Sequence, residues 1–173
     1  MPSRDLVFVD ESGGRTDLTR PYGRAPQGER VREAVPQGHW KMLTILGALS
    51  TKGVQASMTL EAATDTDVFL TFVQRVLGPT LRPGQVVVMD NLPAHKHRKV
   101  RRFLAARQCR LWYLPAYSPD LNPIEMAWNK LKTFLRRTKA RLWPALEQAV
   151  ARGLRTITPQ DAQNWFRHCR YAL

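Results

Sequence analysis

Asp10, Asp90 and Glu125 are the residues of this 173-residue chain whose type and placement could do chemistry. Gathered carboxylates offer hard oxygen ligands that suit magnesium or manganese. Two such ions about 4 Å apart can activate an attacking oxygen and stabilise a leaving one during an in-line phosphoryl displacement. Asp10 ends the apolar run Leu6-Val7-Phe8-Val9, and Asp90 ends Val86-Val87-Val88-Met89. Each acid is therefore expected at the carboxyl end of a short buried strand, the end at which open sheets bind ligands. Glu125 closes the proline-punctuated segment Leu114-Pro115-Ala116-Tyr117-Ser118-Pro119-Asp120-Leu121-Asn122-Pro123-Ile124-Glu125, after a third strand over Arg110 to Leu114. Asn122 has the side chain of an N-cap and Pro123 suits the first helical position. Glu125 then falls at the third, where unpaired N–H groups and the helix dipole favour an anion. Plainer roles compete: a capping box in which Glu125 reaches back to the Asn122 N–H, and turns at strand ends for the two aspartates. Two acids at strand ends and a third at the start of the helix that follows a third strand favour a shared metal site.

Positioning those acids asks for a central sheet. The first strand, Leu6 to Val9, delivers Asp10. From Glu11 to Gly38 there is little apolar periodicity, and Arg15, Arg20, Arg24, Arg30 and Arg32 stand among prolines and glycines, which reads as a basic loop over the active-site edge. Met42 to Ser50 and Val54 to Leu60, separated by Thr51-Lys52-Gly53, read as an antiparallel hairpin. Thr64 or Thr66 can cap a helix whose apolar positions Phe69, Phe72, Val73 and Val76 continue until Gly78-Pro79 stops it. A fourth strand runs from Gln85 to Met89. After Pro93 comes a basic helix with Lys96, Arg98, Lys99, Arg101, Arg102 and Arg107 outside and Val100, Phe103 and Leu104 inside; it begins beside Asp90, which suits phosphate contacts. The helix from Pro123 to Arg137 buries Ile124, Ala127, Trp128, Leu131, Phe134 and Leu135, while Glu125, Asn129, Lys132 and Arg136 line one flank. That flank could hold a metal at one end and a DNA backbone along the other. Helices over Pro144 to Arg155 and Pro159 to Arg170 should cover the sheet, the second opening on the start signal Thr158-Pro159-Gln160-Asp161. This order implies an α/β domain with a mixed five-stranded sheet flanked by helices.

With 43% apolar residues and five tryptophans the chain can bury a sizeable core. Twenty-seven Lys and Arg against fourteen Asp and Glu give a net charge of +13, which calls for a polyanionic partner, by default nucleic acid. No apolar run approaches a membrane span and no signal peptide opens the chain, so a cytoplasmic location and no membrane partner are expected. Cys109 and Cys169 are isolated, which argues against a disulfide framework, and His95-Lys96-His97 lacks the further ligands a zinc site needs.

Val9-Asp10-Glu11-Ser12, Met89-Asp90-Asn91-Leu92-Pro93-Ala94-His95-Lys96 and the segment from Leu114 to Glu125 resemble the three blocks of DDE transposases of the mariner superfamily, in its bacterial insertion-sequence branch. Thirty-four residues lie between Asp90 and Glu125, a spacing similar to that of the branch. The resemblance implies a ribonuclease-H-like fold and a single DDE catalytic domain over residues 1–173. It also implies metal-dependent DNA strand cleavage and strand transfer of an insertion sequence. Asp10, Asp90 and Glu125 would be both catalytic residues and ligands of two magnesium or manganese ions once DNA is bound. Water attack would nick the element's ends, and the freed 3′-hydroxyl would attack target DNA through the same site.

Glu11, Asn91, His95, Asp120 and Asn122 fall in the same blocks and are expected to orient the acids or cap helices. DNA contacts are expected from Arg15, Lys96, Arg98, Lys99, Arg101, Arg102, Lys132 and Arg136. The partners implied are double-stranded DNA, as element ends and target, and a second copy in a dimer on DNA. Mariner-type transposases carry helix-turn-helix domains before the core, and Met1 stands nine positions ahead of Asp10. Those domains are therefore expected to be absent here and supplied by an upstream frame, separate or fused. Two rivals stay open: another ribonuclease-H-like nuclease, and an inactive or domesticated basic DNA-binding remnant.

Overall fold

The computed structural model describes residues 2–34, 36, 41–61 and 63–172. Met1 and the far end of the expected basic loop, including Gly38, lie outside the described residues. Five strands form one mixed sheet: β1 (Leu6–Arg15), β2 (Met42–Ser50), β3 (Gly53–Leu60), β4 (Val86–Met89) and β5 (Arg110–Tyr113), in the order β3-β2-β1-β4-β5. β2 is antiparallel to both of its neighbours, whereas β1, β4 and β5 are parallel. Five α-helices cover the sheet: α1 (Thr66–Thr71), α2 (Arg98–Ala106), α3 (Pro123–Thr138), α4 (Trp143–Arg155) and α5 (Pro159–His168). The architecture is the α/β mixed sheet expected from the order of elements.

Strand alternation splits the core into two layers. Leu6, Phe8, Ile45, Val86 and Val88 face α3, α4 and α5. Val7, Val9, Leu46, Val87 and Met89 face α1 and α2. Phe8, Ile124 and Phe166 in the first layer and Phe69, Phe72 and Met89 in the second are fully buried. Each such side chain contributes about 2–3 kcal/mol of hydrophobic stabilisation.

Several boundaries differ from the sequence reading. β1 does not end at Asp10; it runs five residues farther, because Glu11–Arg15 pair with Met42–Leu46 of β2. Ser12, Gly13 and Gly14 are weak strand formers, and cross-strand pairing overrides them. This extension carries the chain roughly 17 Å beyond Asp10 before the basic loop begins. The loop consequently does not lie over the acids. Arg141 Nη1 donates to the Thr16 and Leu18 carbonyls at 2.8 and 2.9 Å, and Lys139 pairs with Glu33 at 2.5 Å. Those anchors sit past the far end of α3, about 20 Å along the helix from Glu125.

Asp65, not Thr64 or Thr66, caps α1, its carboxylate accepting from Val68 N–H at 2.8 Å. The helix continues as a π-turn through Leu77, and Gly78-Pro79 lead into one 3-10 turn. α2 begins only at Arg98, after a separate 3-10 turn over Ala94–Lys96. Among the described residues, no helix is long and apolar enough to cross a membrane.

Candidate active site

The parallel register pairs Leu6 with Val86 and Phe8 with Val88. Carried two residues on, that register sets Asp10 beside Asp90. Asp10 continues the alternation of Leu6 and Phe8, so its carboxylate faces α3. Glu11 points through to the other layer. Asp10, Asp90 and Glu125 line one cavity of about 410 Å3, walled also by Asn91, Leu92, Asn122 and the segment from Leu114 to Pro119.

Asp10 is 8% exposed. Its Oδ1 accepts from Glu11 N–H at 2.8 Å, and its Oδ2 from Asn122 Nδ2 and Trp128 Nε1, both at 3.3 Å. Burial pushes the carboxyl up to about 7, aided by the charges of Glu125 and Asp90 and opposed by the Glu11 N–H and the Trp128 indole. No cation of the protein pairs with it among the described residues. Gly47 is the β2 residue facing Asp10 in the register, and a Cβ there would stand 2.4 Å from the Trp128 ring. The missing side chain is what lets the indole cross β2 and reach the carboxylate.

Asp90 is held differently. Its Oδ1 accepts from Leu92 N–H at 3.0 Å and bonds His95 Nδ1 at 2.6 Å. Burial raises its pKa, but the His95 bond, the Leu92 N–H and the charges of His95 and Lys96 outweigh it and leave the carboxyl below its ordinary range. His95 has no exposed surface. Its Nε2 stands 3.4 Å from Glu11 Oε1, its ring packs on Phe69 at 4.2 Å, and its carbonyl accepts from the Tyr113 hydroxyl at 3.1 Å. Burial lowers the imidazole pKa, yet the bonds to Asp90 and Glu11 prevail and raise it to about 9. Glu11 and Asp90, both half-buried, thus clamp the buried His95 between them.

Glu125 enters from the first turn of α3 and is exposed. The capping box does not form. The Asn122 N–H donates to Pro119 at 3.0 Å, and the Asn122 side chain, turned away from the helix, donates to Asp10. Asn122 Oδ1 is buried and unpaired among the described residues. Asn91 Nδ2 donates to the Leu114 carbonyl at 2.5 Å and ties the ends of β4 and β5 together. Asp120 does not join the site. It lines a separate depression with His168, Cys169 and Arg170.

The donor set fits a hard divalent ion: three carboxylates and one buried amide oxygen, all oxygen. Yet among the described residues no three acids, imidazoles or thiols are gathered closely enough to grip an ion. The three acids line a cavity rather than a ready-made cluster. Asp10 is drawn toward Asn122 and Trp128, and Asp90 toward His95 and Leu92.

The expected DNA-contacting cations are dispersed. Arg98, Lys99, Arg101 and Arg102 are exposed on α2, and Lys96 lies over the Tyr113 ring near Asp90. Lys132 and Arg136 are half-buried along α3. Arg15 pairs with Asp17 at the far end of β1 and takes no part in the cavity. Trp128 was legible only as a core residue. A buried indole N–H needs an acceptor, and that signal could have pointed to Asp10.

Residues 5–147 match the family model of the DDE superfamily endonucleases. The chain is 26% identical to a Tcb2 transposase of Caenorhabditis briggsae, over 91% of this chain and 65% of that protein. It is 25% identical to the 39 kDa protein of insertion element IS630 from Shigella sonnei, over 77% of this chain and 39% of that protein. It therefore spans less than two thirds of either relative. A Mos1 transposase in a paired-end complex with left transposon end superposes with a TM-score of 0.76 at 17% identity, over 97% of this chain and 52% of that one. That likeness makes the fold ribonuclease-H-like.

Proposed function

From a chain that belongs to the DDE superfamily endonucleases, we propose the catalytic core of a transposase that cleaves and joins the DNA of an insertion sequence. One observation carries the reading: in a chain of this family, Asp10, Asp90 and Glu125 open onto a single cavity. Magnesium or manganese, two ions once DNA is bound, would be held by these carboxylates and would supply activation of the attacking oxygen and stabilisation of the leaving oxygen.

The chain's own residues do the positioning. Trp128, Asn122 and the Glu11 N–H fix both oxygens of Asp10, and His95, braced by Glu11, fixes one oxygen of Asp90. Leu92, Pro115 and Ala116 form part of the wall against which a phosphodiester would seat. Lys96 and the outer face of α2 lie on the Asp90 side, where cations meet a DNA backbone. Double-stranded DNA is the partner, as element ends and target, engaged by a dimer. A helix-turn-helix unit, separate or fused, would read the end sequences, because phosphate contacts alone carry no sequence information.

The test is nicking of supercoiled DNA in magnesium by the parent and by Asp90→Asn. The amide keeps an oxygen acceptor for His95 and Leu92 but loses the charge that draws a metal ion. Nicking should fall at least about 1,000-fold, some 4 kcal/mol of barrier. Parent-level nicking by the variant would remove Asp90 from the chemistry. Joining of pre-cleaved ends to a target then separates a transposase from a nuclease that only hydrolyses.

A further inference from the structure

We propose that the cavity at the opposite end of the sheet is a phosphate site that takes a backbone phosphate of DNA lying outside the catalytic cavity. Its assignment to DNA rests on the transposase reading; its preference for an anion does not. Arg4 precedes β1, Lys52 stands in the β2–β3 turn, and Arg82 leads into β4, so all three cations reach the sheet end away from Asp10 and Asp90. They converge on a cavity of about 280 Å3 that no carboxylate lines. Elsewhere Lys41, Lys130 and Lys139 each have an acidic partner. Among the described residues, Arg4, Lys52 and Arg82 have none.

The neutral walls are held in place. Ser50 Oγ accepts from Lys52 N–H at 3.2 Å, and Gln85 Oε1 accepts from Arg82 N–H at 2.8 Å. Gln55 Nε2 donates to the Thr80 carbonyl and hydroxyl at 3.0 and 2.9 Å. Gly53, at φ +105°, makes the tight turn that presents Lys52. Three like charges around one cavity repel one another, and an anion seated there would neutralise them. The volume falls just below the roughly 300–1,000 Å3 of small-molecule pockets, which favours a phosphate group over a whole nucleotide. Arg4 is roughly 17 Å from Asp10 along β1, about five base pairs of duplex. DNA that reaches both sites must therefore extend well past the cleaved phosphate.

The test compares the full chain with two double variants of equal charge, Lys52→Ala/Arg82→Ala in the cavity and Arg75→Ala/Arg155→Ala elsewhere on the surface. Affinity for a 30-base-pair duplex is measured from 50 to 300 mM salt, and backbone amides are followed by NMR with inorganic phosphate. The cavity double should flatten the plot of log affinity against log salt by about 0.9 per phosphate lost. The control double should change it less, and phosphate should shift the amides of Lys52, Gly53 and Gln85 in the parent and the control double but not in the cavity double. Equal slopes for the two doubles overturn the assignment to DNA. If the amides shift while the slopes agree, the site serves free phosphate instead; if nothing shifts, there is no anion site. A failed transposase reading would show separately, as no joining of pre-cleaved ends to a target by the parent.

Discussion

Asp10 in the acid cavity and Asp161 at the junction of α3 and α5 are the same residue type in opposite electrostatic circumstances. Asp161 Oδ2 accepts from Lys130 Nζ at 2.6 Å and from the Thr158 N–H and hydroxyl at 2.8 Å. The Lys130 bond, reinforced by the capping box with Thr158, lowers its pKa to about 2. Asp10 is more deeply buried, has only neutral donors, and is pushed up to about 7. At the junction the protein satisfies its own acid and fastens two helices. In the cavity it leaves a buried carboxyl, Asp10, with no cation of the chain beside it among the described residues.

The sharpest way to break this contrast is to neutralise one acid of each kind. Glu125→Gln should lower metal-dependent nicking at least about 1,000-fold. Asp161→Asn should leave the rate per folded molecule unchanged, and a loss there would mean that the junction also serves the chemistry. Next in size is a pH effect on stability. The folded-state pKa of Asp10 lies above its ordinary value of 3.8, so the folded state binds the extra proton between about pH 4 and 7. Stability without divalent ions should therefore fall as pH rises through that window, by up to about 4 kcal/mol. Asp10→Asn should abolish this fall in urea denaturation at pH 4.5 and 7.5.

A smaller effect should follow from adding magnesium at pH 7.5. At tenfold above its dissociation constant it should stabilise the parent by about 1.4 kcal/mol, a few degrees in thermal midpoint, and leave Asp10→Asn unmoved. An equal rise in both proteins would place the ion elsewhere. The smallest expected effect is at the junction: Thr158→Ala should cost about 1 kcal/mol in denaturant unfolding, with nicking unaffected.

The sheet and its acids were legible because Leu6 to Asp10 and Val86 to Asp90 are strong local signals that happen to stand in register. The proline segment likewise announced the start of α3. What sequence could not show depends on contacts between distant segments. Glu11–Arg15 look like loop and become strand only because β2 offers them a partner. That pairing also displaces the basic loop from the acids to the far end of α3. His95 read as one of several polar neighbours, and its place between Glu11 and Asp90 follows from the alternation that sends Glu11 to the opposite layer. Asp120 shared a motif with the acids, yet the 3-10 turn over Pro119–Leu121 places it in the depression beside Cys169.

Asn122, just before α3, and Trp128 within it both reach Asp10, and Glu125 sits between them in the first turn of that helix. Docking of that helix on β1 and completion of the three-acid set are therefore one event, with Gly47 as the gap through which they interlock. A nascent or partly melted copy, its third helix adrift, would carry all three acids and still lack the joint that sets Asp10 and Glu125 on one cavity.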